Sequence, residues 1–412
     1  MGLVSMNFEC VVVGAGPSGA AAALAAARRG LDVVLLDGAT FPRDKTCGDG
    51  LTPRGVHALR QLGIIDVLPE YRNNGLKLHG YGGSVTAPWP DGHYGQEGSA
   101  MPRELFDDAL VHQARTAGAQ VWEGCPATDV EFTDGRITGI VTPQGVIRPK
   151  WVIVADGVRS PFGKLLGRTW HKGEVYGIAA RSYCASPLSD EPWMHSHVEL
   201  RDSEGEIQPG YGWIFPLGNG EVNLGCGALS TSDRPAKINT KKLLSQYAEH
   251  VREEWDLGPE QRVTSAMLPM GGAVSNVAGA NWMLIGDAAA CVNPLNGEGI
   301  DYGLETAQMA VNRLGTESDF TLTWPFALRE AYGEAFVLAR TAARLLTYPK
   351  FLPLAGPVAL RGPVGAALMP AAARLMGNLI TDEDRDLIAR TWRTAGKAVS
   401  AFRRDTPLWS VE

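Results

Sequence analysis

One short passage constrains this chain more than any other. Phe8-Glu-Cys-Val-Val-Val13 runs directly into Gly14-Ala15-Gly16-Pro17-Ser18-Gly19, and an alanine-rich stretch from Ala20 to Arg29 follows. Strand, glycine turn and helix in that order open a doubly wound α/β sheet that binds a dinucleotide. Gly14 makes the tight turn, Gly16 lets a pyrophosphate approach the backbone, and Gly19 lets the helix close on the sheet. The free amides and partial positive charge at the helix start then favour phosphate. A second strand, Asp32 to Leu36, ends in Asp37, about 20 residues past the fingerprint, where a carboxylate accepts ribose hydroxyls.

Two later segments repeat the theme. Trp151 to Ala155 reads as a buried strand ending in Asp156-Gly157-Val-Arg159-Ser160. Trp282 to Gly286 reads as another, ending in Asp287; the run Pro294-Leu-Asn-Gly297-Glu-Gly299-Ile300 leads on to a helix from Asp301 to about Leu314. A single Asp-Gly corner is an ordinary turn. Three carboxylates at successive strand ends line the crevice in which open α/β sheets bind ligands.

The 412 residues exceed the size at which one hydrophobic core keeps growing, so two interleaved lobes are expected. A net charge of −7 offers no footprint for a nucleic-acid backbone, and that class of partner is set aside. Cys10, Cys47, Cys125, Cys184, Cys226 and Cys291 form no CxxC pair and no cluster with histidine, which predicts a reducing compartment and no metal site. From Met1 the chain passes through Asn7 and Glu9 into a strand without a secretory pattern, so a cytoplasmic protein is expected. The apolar territory from Phe351 to Leu379 is cut by Pro353, Pro357, Arg361, Pro363, Pro370 and Arg374. It therefore lacks the roughly 20 uninterrupted apolar residues of a membrane span, while peripheral contact stays open.

Between the nucleotide segments, Tyr176 to Cys184, His195 to Leu200, Tyr211 to Pro216 and Glu221 to Gly227 read as strands, with Gly218-Asn219-Gly220 as a turn. This predicts a second sheet inserted into the chain. Tyr211, Trp213 and Phe215 alternate with Gly212 and Ile214, which puts the three aromatics on one strand face. Such a face either lines an apolar slot or fills a sheet-to-helix core.

With these marks the chain resembles the p-hydroxybenzoate hydroxylase-like FAD superfamily. The resemblance implies an α/β fold: a Rossmann-like FAD-binding domain from residues 1–80, 101–170 and 270–315, an inserted antiparallel-sheet substrate domain from 81–100 and 171–269, and a C-terminal helical region from 316–412, with helices near 324–346 and 382–404. It also implies that Asp287 contacts the ribitol or pyrophosphate, that the amides of Gly299 and Ile300 face the flavin pyrimidine edge, and that Arg103 touches the flavin.

A loop directly after the ribose strand, Phe41-Pro42-Arg43-Asp44-Lys45-Thr46-Cys47-Gly48-Asp49-Gly50-Leu-Thr-Pro53-Arg54, narrows the family. It is similar to the geranylgeranyl reductase family, in which a Cys-Gly segment lies beside the flavin and a Pro-Tyr-Trp-Phe-Pro motif lines a prenyl pocket. Here the second motif is Pro209-Gly-Tyr211-Gly-Trp213-Ile-Phe215-Pro216, one residue shorter before the tyrosine than the archaeal version. The stretches 41–54, 209–222, 268–274 and 281–305 look most like the menaquinone reductases of actinobacteria, and the likeness runs from about residue 7 to 402. What this implies is FAD-dependent saturation of one double bond in the isoprenoid tail of menaquinone or a related polyprenyl lipid, at the second unit from the ring, by an enzyme peripherally associated with the cytoplasmic membrane. Carried over residue by residue, the resemblance adds Ala15, Pro17, Ser18, Lys45, Cys47, Gly48, Asp49, Gly50, Ala127, Asp156 and Gly297 to the cofactor contacts. Tyr211, Trp213, Phe215 and Pro216 line the substrate side.

Reducing an unactivated trisubstituted alkene takes a hydride donor held close and a proton for the other carbon. Cys47 and Asp49 are the catalytic candidates, with Tyr211 a further proton source. Only one dinucleotide fingerprint is present, so the electron donor is expected to be a visiting NAD(P)H or a redox protein. Rival readings are a monooxygenase or halogenase on the same scaffold, whose Trp-x-Trp-x-Ile-Pro segment is missing, and a prenyl-lipid escort protein, a class that tends to lose the flavin contacts kept here.

Overall fold

The computed structural model describes residues 5–411 apart from 349, 378, 382 and 403–407. Its first sheet is ordered Ala278–Gly279, Trp282–Leu284, Gly145–Val154, Ser5–Val13, Val33–Leu36 and Gln120–Trp122. The four pairings from Trp282–Leu284 through to Gln120–Trp122 are parallel. Cys10, Val11 and Val12 on the central strand are fully buried. A parallel strand covered on both faces has no polar side to alternate with, which is why Val11-Val-Val13 reads as a continuous apolar run.

The helix Pro17–Arg28 is nearly all alanine on its buried side, with Ala20 to Ala23 and Ala26 wholly inside. Small side chains let it approach the sheet and the helices Arg103–Thr116 and Ile300–Arg313 closely. At Gly19 a β-carbon would lie 1.7 Å from the carbonyl oxygen of Gly14, so no other residue fits.

Seven strands make the second sheet, in the order Gln261–Pro269, Tyr176–Ala185, Glu221–Ser230, Tyr211–Pro216, Met194–His197, Gly75–Gly80 and Gly83–Pro88. Only Met194–His197 with Gly75–Gly80 runs parallel. Gly75–Gly80 therefore belongs to this sheet, and the boundary expected after residue 80 falls about five residues earlier. The hairpin with Gly83–Pro88 explains the shift, because its two strands pair along their whole length and cannot be divided between lobes.

The amphipathic helix Thr240–Trp255 covers one side of this sheet, packing Leu244, Tyr247, Val251 and Trp255 on Ala180, Ile214 and Leu224. In the C-terminal region, helix Thr323–Leu346 falls where the sequence places it, whereas the second runs Leu387–Phe402 and leaves out 383–386, because Asp386 accepts from the Ala389 amide and caps its start; positions 382, 403 and 404 lie outside the described residues. That region is not a separate lobe. Tyr332 and Phe336 pack edge-on to Tyr302, and the chain returns so that buried Trp409 donates to the carbonyl of Ala289 at 2.7 Å. Among the described residues no helix is long and apolar enough to cross a membrane.

Candidate active site

The glycine turn builds the first wall. Gly14 takes φ +100°, a left-handed conformation open to glycine, and a β-carbon there would lie 2.4 Å from the carbonyl of Ala155. Asp37 accepts from the Ala15 amide at 2.7 Å and from the Ala39 amide at 2.8 Å, so the acid expected at the ribose braces the turn. Alongside it, the Cys125 amide donates to the Asp37 carbonyl at 2.8 Å, which brings the segment carrying Ala127 to the same corner. The helix start at Gly16 to Ser18 has no side-chain cap. A methyl on Gly16 would stand 3.7 Å from the Arg43 guanidinium and 3.9 Å from that of Arg103. Open amides, a helix N-terminus and two guanidinium groups make a cradle for a diphosphate.

Arg103 is held by a bidentate pair with buried Asp107, at 2.6 and 2.8 Å, and Arg43 reaches the same carboxylate at 3.1 Å. Lys45 points into the cleft, 3.7 Å from the position a β-carbon would take on Gly157. Burial pushes its ammonium below the ordinary lysine range, and Asp287 partly restores it. Burial likewise raises the Asp287 carboxyl, against the pull of Lys45 and Arg103. A β-carbon on Gly299 would come within 2.9 Å of Asp287, so that glycine leaves the carboxylate open to the helix start at Ile300. Ser18 is wedged against Gly286 and Gly303, tying the glycine turn to that same helix.

Asp156 has a different task from the one expected. Its carboxylate accepts from the Ser160 hydroxyl at 2.6 Å and from the amides of Phe162 and Gly163 at 2.8 and 3.4 Å. It caps the short helix Pro161–Leu165, as an acid at a helix start does, and Gly157 beside it is what faces the cleft.

The second wall is the aromatic strand. Gly212 is seated under the Tyr247 ring and Ile214 packs into the helix-covered core. Tyr211, Trp213 and Phe215 therefore face the other way, toward the first domain, with neighbouring ring centroids 5.8 and 6.2 Å apart. The loop from Cys47 to Gly50 lies flat on them. A methyl on Gly48 would come within 3.1 Å of Phe215 and 3.5 Å of Trp213, and one on Gly50 within 2.3 Å of Met194. Tyr211 donates to the carbonyl of Asn296 at 3.0 Å, fastening the strand to the loop that carries Gly297 and Gly299. Its hydroxyl is thereby engaged, and burial pushes its pKa up to about 12. Pro216 is buried at the end of the same strand.

Three residues that the sequence reading missed hold this contact together. Asn223 accepts from the Trp213 indole at 2.9 Å and donates to the Cys47 carbonyl at 2.9 Å and the Asp49 carboxylate at 2.8 Å. Tyr183 donates to the same carboxylate at 2.6 Å. Arg181, fully buried, ion-pairs with Asp44 and donates to the Lys45 carbonyl at 3.0 Å. Each comes from a strand more than 130 residues beyond the loop, and no local pattern announces such a pairing.

Asp49 itself is buried and adopts φ +64°. Burial raises its carboxyl to about 6, although the hydrogen bonds from Tyr183 and Asn223, then Arg181 and Arg103, pull the other way. Its oxygens are spent on the loop. Half-buried Cys47 turns its thiol toward Arg103: its sulfur accepts from the Asp49 amide at 3.3 Å, and burial, opposed by Arg103, raises the thiol pKa. Further along, Arg54 makes a bidentate pair with Glu305 at 2.7 Å, and Thr52 donates to Glu298 at 2.6 Å. These anchor the far end of the loop to the helix Ile300–Arg313 and to the turn just before it. No cluster of metal-ligating side chains occurs among the described residues.

The FAD binding domain family matches residues 7–317. A menaquinone reductase of Mycolicibacterium smegmatis is 54% identical over 410 residues, covering 98% of this chain and all of that protein. The menaquinone reductase of Mycobacterium tuberculosis is 51% identical over 98% of this chain and 99% of its own. A digeranylgeranylglycerophospholipid reductase of Methanopyrus kandleri is 30% identical over 83% of this chain and 91% of that one. Among solved structures, a geranylgeranyl bacteriochlorophyll reductase-like protein of Thermoplasma acidophilum superposes with a TM-score of 0.74 at 20% identity, covering 98% of this chain and all of that one. A flavin-dependent brominase reaches 0.72 at 18% identity, covering 97% and 100%, so the scaffold is shared across different chemistries.

Proposed function

The chain belongs to the FAD binding domain family, in its menaquinone reductase branch, and on that premise we infer that it saturates one carbon–carbon double bond in the isoprenoid tail of menaquinone with FAD as cofactor. One observation carries the reading to the reaction: the aromatic face of Tyr211, Trp213 and Phe215 is pressed against the Cys47–Gly50 loop at the mouth of the dinucleotide cleft. An apolar tail would run along the half-buried edges of Tyr211 and Phe215, beside the loop that covers the rest of that face.

The cradle fits FAD. The uncapped amides at Gly16 to Ser18, with Arg43 and Arg103, suit its diphosphate; Asp37 suits the ribose; Asp287, Lys45, Gly299 and Ile300 suit the flavin end. When bound and reduced, FAD supplies the hydride that a bare alkene requires.

The protein's own part is position, dryness and a proton. The aromatic face holds the flat alkene unit, and the Tyr211–Asn296 bond fixes the distance between strand and cofactor loop. The Cys47 thiol, kept protonated by burial, delivers the proton to the second alkene carbon. Asp49, Asn223 and Tyr183 hold the thiol in place without themselves facing the tail.

The bond reduced is the one in the second isoprene unit from the ring. The enzyme works at the cytoplasmic face of the membrane that carries its substrate, and its electrons arrive from a transient NAD(P)H or a small redox protein, since a single dinucleotide fingerprint serves FAD. Mass spectrometry of the quinone pool with and without this protein tests the reading. A gain of two hydrogens on menaquinone, assigned by fragmentation to the second unit, supports it; an unchanged pool overturns it.

A further inference from the structure

The helix Phe351–Ala359 touches the rest of the molecule along one side only. Gly356 sits on the Tyr81 ring, where a β-carbon would come within 2.2 Å, and Leu360 is buried with Leu78, Tyr81 and Val85. The opposite side presents Leu354 and Val358, one turn apart, 76% and 60% exposed. Leu345 and Tyr348, just before it, are exposed as well.

Charge singles out the same region. Between Glu334 and Asp382 the sequence carries Arg340, Arg344, Lys350, Arg361 and Arg374 and no acidic residue, in a protein of net charge −7. Arg340 is buried beside Glu174, and Arg374 is paired with Asp384 and Asp386. Lys350 and Arg361 stand exposed at the two ends of the helix, with half-buried Arg344 nearby and Arg234 lying over the Tyr348 ring at 4.2 Å. An apolar ridge framed by cations is what an anionic lipid surface recognises.

This ridge is also continuous with the site. The helix Gly362–Met376 starts beside Arg361 and runs about 22 Å at 1.5 Å per residue. At its far end the Met376 carbonyl accepts from the Asn293 side chain in the cofactor loop. Leu379, just beyond, is buried with Trp89 and Met194, and Phe215 of the aromatic strand packs on that group.

We propose that this pair of helices is the face by which the protein seats on an anionic bilayer. Leu354 and Val358 enter the interface, Lys350 and Arg361 meet the headgroups, and the tail is taken from the bilayer along Gly362–Met376 to the aromatic slot. The proposal rests on the polyprenyl-lipid reading above.

Flotation of the full FAD-loaded chain with two kinds of vesicle is the test, one of phosphatidylcholine and one of phosphatidylcholine mixed equally with phosphatidylglycerol. The protein is expected to bind the mixed vesicles roughly tenfold more tightly or better, and less so in high salt. Lys350→Glu with Arg361→Glu should erase that preference, and Leu354→Glu with Val358→Glu should weaken binding to both by about tenfold. If the glutamate pair does not fold, as judged by flavin content and melting, Leu354→Ser with Val358→Ser replaces it. Turnover of a short-tailed menaquinone in solution should be unchanged in these variants, while turnover of menaquinone in vesicles falls in step with binding. Equal binding to the two vesicles, undiminished binding by both double variants, or light scattering that shows the face holding two copies together would overturn the proposal. Failure of the wild type to reduce the soluble short-tailed substrate would instead strike the functional reading and leave the vesicle result standing.

Discussion

The Asn223 side chain donates to the Asp49 carboxylate at 2.8 Å and, through the same nitrogen, to the carbonyl of Cys47 at 2.9 Å. One amide thus fixes both ends of the Cys47–Asp49 turn, while its oxygen takes the Trp213 indole hydrogen. The aromatic face and the Cys47–Gly50 loop are thereby positioned by a single side chain. Asn223→Leu should cost about 1–3 kcal/mol, because it takes one donor from a buried carboxylate and leaves a carbonyl and an indole N–H without this partner. Urea unfolding with FAD bound measures this, and kcat should fall while FAD affinity changes little. An unchanged unfolding midpoint would show that water replaces the amide at no cost.

Cys47→Ala removes the proposed proton donor and leaves the diphosphate cradle of Gly16, Arg43 and Arg103 in place. FAD content should stay near one per chain while tail reduction slows on the order of 100-fold, the usual worth of a positioned acid. Full activity in the variant would take Cys47 out of the chemistry.

At the cradle the prediction reverses. Gly16→Val puts two methyls where Arg43 and Arg103 approach the helix start, so the protein should fold and yet purify colourless. Its unfolding midpoint should match that of wild-type protein stripped of FAD, and a yellow variant would move the diphosphate elsewhere.

A fourth prediction concerns acid, on the helix-covered side of the second sheet. His79 and His195 are hydrogen-bonded at 3.1 Å and stacked, His197 lies tilted against His79 with centroids 4.5 Å apart, and His197 bonds the Tyr247 hydroxyl. Burial, then neighbouring positive charge, lowers their pKa values from 6.5 to about 4 at His79 and about 3 at His195 and His197. Lys77 and His250 add to that charge, and Glu191, 3.5 Å from His195, opposes it. Folding keeps all three neutral, whereas the unfolded chain takes up protons below 6.5. Their contribution is therefore complete above pH 6.5 and is lost progressively as pH falls toward 4. Asp49 works in the opposite sense, since a carboxyl raised to about 6 favours the folded state at low pH and loses that contribution as pH rises through 6. Asp156, Asp287, Glu298 and Asp301, raised by burial as well, work in the same sense as Asp49, so the histidine share is read by difference: between pH 6.5 and 4 the unfolding midpoint of the wild type should fall more steeply, or rise less, than that of His79→Gln. Identical profiles would mean the cluster is open to water.

Much of this was legible before any coordinates. The glycine turn, its strands and the Ile300–Arg313 helix declare themselves because local sterics and a period-two or 3.6-residue pattern write them into adjacent residues. The aromatic strand declares its face for the same reason. Asp156 misled because an acid at a strand end looks alike whether it meets a ligand or caps the next helix. Asn223, Tyr183, Arg181 and the Arg54–Glu305 pair were invisible: each is an ordinary polar residue whose meaning comes from a partner well over a hundred positions away. The boundary near residue 75 was hidden likewise, since Gly75–Gly80 joins its sheet through pairing with Met194–His197.

The most direct test of the whole account is a single anaerobic turnover. The FAD-loaded protein is reduced chemically, mixed with menaquinone, and the lipid is examined by mass spectrometry. The account predicts oxidised flavin and a quinone heavier by two hydrogens, both in the tail. Flavin that stays reduced beside an unaltered tail, or a product that forms only when oxygen is admitted, would contradict it.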